Sequence, residues 1–210
     1  MTNKDLIDQL IARGALKTER VITAFREIDR QEFVPLADRH LAYADIPLSL
    51  GYGATISQPY TVAVMLELLQ PKINDHVLDV GAGSGWTAAL LGKIVGPSGS
   101  VTAIERLPQL AEAAESTLRH HRLPNVHYQI GDASHGWPKN APYDIIHVAA
   151  AVDKVPGEYV QELKIGGRCL IPVGQTIQEL TLVTKTDPDH QTTLSIPGWQ
   201  FVPLINHHAQ

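Results

Sequence analysis

The chain has 210 residues, 44% hydrophobic and 19% charged, a balance that suits one globular domain with a substantial core and excludes a fibrous or disordered chain. Its formal net charge of -5, without any Lys/Arg-rich block, argues against a nucleic-acid partner, because phosphate binding needs clustered cations. No apolar run approaches a membrane-spanning length, charges recur through the first ten residues, and the single cysteine, Cys169, excludes an intrachain disulfide, so a cytoplasmic protein away from membranes is expected.

Apolar residues at helical spacing, Leu6, Ile7, Leu10 and Ile11, then Val21, Ile22, Phe25 and Ile28, predict two amphipathic helices before residue 30. Pro35, Pro47, Gly51, Gly53 and Pro59 interrupt 33–59, which reads as a long irregular segment, and long ordered loops in compact domains are usually functional. The run 61–69 is apolar on most faces and predicts a helix covered on more than one side. Strand and helix then alternate, with strands at 77–80, 101–104, 126–130, 145–149 and 168–173 and helices at 85–95, 109–121 and 157–163. That order predicts a doubly wound, mostly parallel α/β sheet of the Rossmann-like kind, with right-handed crossovers. Runs 180–184 and 192–204 have no helix between them and predict a closing antiparallel hairpin. Cys169, in the apolar run 168–172, is expected to be a buried small hydrophobe, and 206–210 are expected to fray.

The segment 77–86, Val-Leu-Asp-Val-Gly-Ala-Gly-Ser-Gly-Trp, is a strand running into a glycine-rich turn and a helix, where backbone approaches a ligand closely. A dinucleotide fingerprint spaces its glycines at the first, third and sixth positions, whereas Gly81, Gly83 and Gly85 stand at the first, third and fifth, which disfavours NAD. Asp79, just before the turn, would repel a pyrophosphate and attract the ammonium of a methionine moiety. Glu105 ends the second strand, where a carboxylate accepts hydrogen bonds from both ribose hydroxyls. Asp132 ends the third, where it can accept from an adenine amino group while a neighbouring backbone N–H serves a ring nitrogen. On these residues the chain resembles the class I S-adenosylmethionine-dependent methyltransferases.

Three further segments, 42–48 (AYADIPL), 51–59 (GYGATISQP) and 62–69 (VAVMLELL), resemble the N-terminal signature of the protein-L-isoaspartate O-methyltransferases. The likeness continues through 78–85, 131–132, 142–148, 163–168, 171–174 and 201–204, nearly the whole chain. The resemblance implies methyl transfer from S-adenosyl-L-methionine to the α-carboxylate of L-isoaspartyl residues in peptides and proteins, giving an ester that cyclises unaided to a succinimide. It implies that Ser57 is the active-site residue, that Thr55 and Ile56 shape the peptide groove, and that Tyr52, Gly53, Ser84, Arg106 and Ala133 join Asp79, Gly81, Gly83, Glu105 and Asp132 around the cofactor. An aspartyl-type carboxylate, with an unperturbed pKa of about 3.9, is already ionised at neutral pH, so no general base is required. Four positions depart from common family patterns: Ala54 where many microbial relatives have Gln, Ala133 where Gly is common, Val62 where some have a cofactor-contacting His, and Ile205 where some have Thr.

The implied organisation is one methyltransferase domain over 1–210, with helices and a substrate segment in 1–70 and a cofactor-binding core in 71–210, working as a monomer. No metal is expected: His120–His121 and His207–His208 are adjacent pairs whose side chains should diverge, and His147, inside an apolar strand, reads as a satisfied core histidine. Two other readings stay open at this point, a carboxyl methyltransferase with a different acceptor and a cofactor-binding protein that has lost catalysis.

Overall fold

A computed structural model of the chain describes residues 1–205; the expectations for 206–210 and for the His207–His208 pair lie outside the described residues. Helix α1 (Asn3–Ala12) begins at a capping box in which the Thr2 hydroxyl accepts from the Asp5 N–H (3.2 Å) and the Asp5 carboxylate accepts from the Thr2 N–H (2.7 Å). It buries Leu6, Ile7 and Leu10 of the predicted stripe but leaves Ile11 exposed, and α2 (Glu19–Glu27) buries Val21, Ile22 and Phe25 as the periodicity predicts. Helix α3 (Pro59–Leu69) opens on Pro59, whose fixed φ suits a first helical position, and buries Val62, Met65, Leu66 and Leu69.

The core sheet contains β3 (His76–Val80), β4 (Ser100–Glu105), β5 (Val126–Ile130), β6 (Tyr143–Val148), β7 (Leu163–Val173), β8 (Gln178–Lys185) and β9 (Gln191–Trp199), in the order β5-β4-β3-β6-β7-β8-β9. Pairings from β5 through β7 are parallel, and β8 and β9 add antiparallel neighbours at the end, so the mixed sheet agrees with the predicted class. Helices α4 (Trp86–Val95) and α5 (Pro108–His120) share one apolar layer with α1, α2 and α3, built on Val77, Val101, Ala103 and Ile145. The opposite layer holds Leu78, Val80, Ile146, Val148 and Cys169 with Tyr159 of the short helix α6 (Gly157–Gln161). Cys169 is fully buried, as expected, and burial pushes its thiol up, out of reach of thiolate chemistry.

After β3 the chain builds outward through β4 and β5, then returns to place β6 on the other side of β3. The direction of winding therefore reverses at the carboxyl end of β3, and open α/β sheets leave their ligand crevice at that point.

Four local expectations need correction. The segment 33–59 is not wholly irregular: it follows a 3₁₀ turn at Arg30–Phe33 and holds a second, Leu36–Leu41, and a hairpin of β1 (Leu48–Gly51) with β2 (Ala54–Ile56). Strands of four and three residues are too short to show alternation, and the turn is made by Tyr52 and Gly53 at φ of 54° and 76°. Helix α6 ends at Gln161 and β7 starts at Leu163, earlier than predicted, because Gly166 at φ +82 carries the chain through a bulge. The last strand stops at Trp199, not 204, just beyond Gly198 at φ 96°. The following segment crosses back to β6, with the Ala151 N–H donating to the Val202 carbonyl (2.8 Å) and the Leu204 N–H to the Ala151 carbonyl (2.7 Å). Finally, His120 and His121 do not diverge: both Nε2 atoms face Glu32, at 3.9 and 3.3 Å, with the His121 ring stacked on Phe33. Among the described residues no group of three or more potential ligands could hold a metal ion.

Candidate functional site

The turn after β3 takes Gly81, Gly83 and Gly85 through φ of 74°, 53° and 82°, a region that L side chains avoid, so glycine is needed at each. The Gly81 and Ala82 N–H groups donate to the Ile104 carbonyl (3.0 and 3.1 Å), and the Gly83 carbonyl accepts from the Tyr128 hydroxyl (2.6 Å). Burial, with Glu105 and Asp79 nearby, pushes the Tyr128 phenol up, so it stays a neutral donor. The turn is thus fixed from β4 and β5, the two strands on one side of β3, before any ligand arrives.

Three carboxylates surround it. Asp79 is fully buried, its Oδ1 lies 2.7 Å from His147 Nδ1, and its Oδ2 has no hydrogen-bond partner among the described residues. His147 is therefore only half satisfied, since its buried Nε2 also lacks a partner. Glu105 accepts from the Gly83 N–H at Oε2 (3.0 Å) and from the Leu107 N–H at Oε1 (2.9 Å). An ionised carboxylate has about four lone-pair sites, so both oxygens keep capacity for ribose hydroxyls. Asp132 accepts from the Ser134 N–H (2.9 Å), and the Ala133 carbonyl accepts from the Tyr159 hydroxyl (2.7 Å). These bonds hold the strand-end turn of 131–134 in place.

The β1–β2 hairpin lies against the glycine turn: a Cβ placed on Gly83 would stand 3.5 Å from Leu50 Cδ1 and 4.0 Å from the Thr55 carbonyl oxygen. Ile56 pairs with Leu48 and turns into the core, Thr55 is exposed, and Ser57 is half-buried where the chain enters α3. The Gln58 amide donates to the Asp45 carbonyl (3.0 Å), which ties the exit of the hairpin to its entry. Together these elements close on one cavity of about 340 Å³, within the range of small-molecule sites.

The acceptor-side and cofactor-side residues expected from the sequence all line this cavity. Ser57, Thr55 and Ile56 meet Tyr52 and Gly53 on the hairpin side, while Asp79, Gly81, Gly83, Ser84, Glu105, Arg106, Asp132 and Ala133 form the sheet side. Ala54 and Ile205 also line it, whereas Val62 is buried in the core and is not among the lining residues. Among the lining residues that sequence reasoning missed are three groups: Trp86 with Thr87 at the start of α4, the pair Ala149 and Ala150 beyond β6, and the crossing segment of Val202, Pro203 and Leu204. The third lay within a matched segment, 201–204, but strand-like residues there gave no hint that the chain folds back over the site.

Two solved structures superpose closely on the chain over nearly its whole length. A putative protein-L-isoaspartate O-methyltransferase from Plasmodium falciparum, in complex with S-adenosyl-L-homocysteine, superposes with a TM-score of 0.87 at 22% identity, covering 98% of this chain and 99% of that one. A second structure, a protein-L-isoaspartate O-methyltransferase, gives 0.86 at 30% identity over 98% of this chain and 66% of that one. Fold and site thus define a chain of the S-adenosylmethionine-dependent methyltransferase class. The profile of the family described as Protein-L-isoaspartate(D-aspartate) O-methyltransferase matches residues 1–209, and the chain belongs to that family. Curated relatives named protein-L-isoaspartate O-methyltransferase include one from Methanothermobacter thermautotrophicus, 40% identical over 97% of this chain and 95% of the relative. Another, from Ignicoccus hospitalis, is 43% identical over 96% of each.

Proposed function

We propose that the chain transfers the methyl group of S-adenosyl-L-methionine to the α-carboxylate of L-isoaspartyl residues in damaged peptides and proteins. The convergence of the Thr55-Ile56-Ser57 segment and the glycine turn on one cavity carries this reading, because it brings an acceptor wall and a cofactor wall together.

The residues present fit the cofactor. Among the described residues Asp79 keeps one buried carboxylate oxygen without a hydrogen-bond partner, as an ammonium ligand would need. In this reading Asp79 receives the amino group, Glu105 the ribose hydroxyls, and Asp132 with the backbone at Ala133 the adenine edge. Gly81, Gly83 and Ser84 supply the turn, with Tyr52, Gly53 and Arg106 around the mouth. When bound, S-adenosylmethionine supplies a methyl group on a sulfonium, which passes to an oxygen nucleophile.

On the acceptor side Ser57 orients the isoaspartyl carboxylate by a hydrogen bond from its hydroxyl, with Thr55 and Ile56 shaping the groove. The chain removes no proton, since the nucleophile arrives ionised, so its work is to align one oxygen with the methyl and exclude water. The apolar wall of Trp86, Ala150 and Leu204 supports that exclusion.

The chain is read as one methyltransferase domain, 1–210, in which 1–70 carries the acceptor segment and 71–210 the cofactor core. One chain furnishes a complete site, which supports a monomer. A net charge of -5 disfavours nucleic acid. No described helix is long and apolar enough to cross a membrane, and the single buried cysteine suits the reducing cytoplasm.

The test is methyl transfer from labelled S-adenosylmethionine to matched peptides that differ only in aspartyl or isoaspartyl linkage. A base-labile ester on the isoaspartyl peptide alone supports the reading. Equal labelling of both, or labelling of neither, overturns it in favour of a different acceptor.

A further inference from the structure

Arg30 is fully buried, yet no carboxylate lies within ion-pair distance of it among the described residues. An unpaired cation in a protein interior is costly, so its hydrogen bonds must account for its presence. All four go to backbone carbonyls of one stretch: Nη1 donates to Ala42 (2.6 Å) and, at longer range, to Ala44 (3.4 Å), while Nη2 donates to Ile46 and Ser57 (both 3.0 Å). Ala42, Ala44 and Ile46 lead into the β1–β2 hairpin and Ser57 leaves it, so one guanidinium fork staples the entry of the acceptor segment to its exit. The guanidinium also stands 5.3 Å from the centroid of the Trp86 ring, and Trp86 starts α4 directly after the glycine turn and lines the cavity. Burial lowers the Arg30 pKa to about 10, opposed by the charge of Asp45, which leaves the cation intact at neutral pH.

An apolar side chain of similar volume could fill this space. What it could not do is fix the Ser57 backbone relative to the wall that holds the cofactor.

We propose that Arg30 is a positioning residue for methyl transfer, setting the height of Ser57 over the cofactor cavity by clamping the Ser57 carbonyl to the Ala42, Ala44 and Ile46 carbonyls that lead into the hairpin and to Trp86. The role rests on the assignment of Ser57 to the acceptor end. Misplacement of reacting groups by about 1 Å can cost roughly 100-fold in rate, so the clamp belongs to catalysis as well as to folding.

The test is Arg30→Lys in the full chain. Lysine keeps the charge but carries its donors on one nitrogen and cannot span both sides of the hairpin. In protein that melts cooperatively, the expected result is a fall of roughly 10- to 100-fold in kcat/KM for an isoaspartyl peptide, with the S-adenosylhomocysteine Kd within about threefold of the unmodified protein. Peptide kcat/KM within threefold of the unmodified protein overturns the proposal. So does loss of S-adenosylhomocysteine affinity in step with turnover, which is the signature of a purely structural role.

Should Arg30→Lys fail to fold, a backbone ester at the Ser57–Gln58 bond is the second variant. It weakens the Ser57 carbonyl as an acceptor and leaves Arg30 in place. A three- to tenfold fall in peptide kcat/KM with unchanged S-adenosylhomocysteine binding supports the clamp, and unchanged peptide kinetics overturn it. Ser57→Ala, measured alongside, separates the two ideas. Full activity in Ser57→Ala with a loss in Arg30→Lys removes the hydroxyl's role and leaves Arg30 as what sets the backbone, whereas a loss in Ser57→Ala alone overturns the part given to Arg30.

Discussion

Asp79 and His147 are Cα partners in the parallel register of β3 and β6, which puts their side chains on the same face and brings Oδ1 to 2.7 Å from Nδ1. Asp79 is legible in the sequence because it immediately precedes a glycine turn. Its partnership with His147 is not, since it depends on which strand lies beside β3, 68 residues away along the chain. Arg30 is less legible still: a charged residue in a polar stretch reads as surface, and its carbonyl acceptors leave no trace in side-chain identity. The buried pair gives a direct prediction. His147→Leu removes the one donor to a buried carboxylate among the described residues and should lower the unfolding free energy by about 1.5 to 3 kcal/mol, whereas His147→Asn can present an amide N–H near Nδ1 and should lose less. Urea denaturation measures both, and equal losses in the two variants would contradict the assigned bond.

At the scale of elements, helices α1 to α5 and strands β3 to β6 and β8 are legible within a few residues, and the second half of β7 with them, because their apolar runs are long enough to register. The β1–β2 hairpin and the crossing of 200–205 are not. In the second case the Gln178 amide replaces strand hydrogen bonds, donating to the Phe201 carbonyl (3.1 Å) and accepting from the Phe201 N–H (2.5 Å), a contact between a side chain and distant backbone. Packing between α4 and β5 can be tested at Gly92, where an added Cβ would run into Val126 Cγ2. Alanine would gain about 1 kcal/mol in helix propensity but crowd this contact at a cost of about 1 to 3 kcal/mol. Gly92→Ala should therefore be less stable in thermal melts, and a raised melting temperature would refute the close packing.

Glu67 on α3 anchors the N-terminal helices, accepting from the Lys17 N–H (2.8 Å), the Thr18 N–H (2.7 Å) and the Thr18 hydroxyl (2.6 Å). Burial acts to raise its pKa, but the hydrogen bonds from Thr18, Lys17 and Gln70 together hold it below the ordinary value of 4.5. A carboxylate depressed in the folded state contributes its stability above the unfolded pKa and loses it as pH falls through the folded pKa. Glu67→Gln should cost about 1 kcal/mol at pH 7, at the low end for a charged hydrogen bond because water screens this partly exposed group. The gap to the unmodified protein should narrow as pH drops below 4.5, and a gap independent of pH would contradict the assignment.

For the whole molecule, the central claim is that one cavity has two separable ends, an acceptor end from the N-terminal third and a cofactor end from the sheet. The most direct measurement is the pair of S-adenosylhomocysteine Kd and peptide kcat for Ser57→Ala and Glu105→Ala. Ser57→Ala should lower kcat roughly 10- to 100-fold with Kd within about threefold, since only acceptor alignment is lost. Glu105→Ala should raise Kd by roughly 10- to 100-fold, the equivalent of one or two hydrogen bonds to a charged group, with kcat at saturating cofactor reduced far less. The opposite pattern, cofactor affinity lost with Ser57 and turnover lost with Glu105 at intact affinity, would contradict the division of the site.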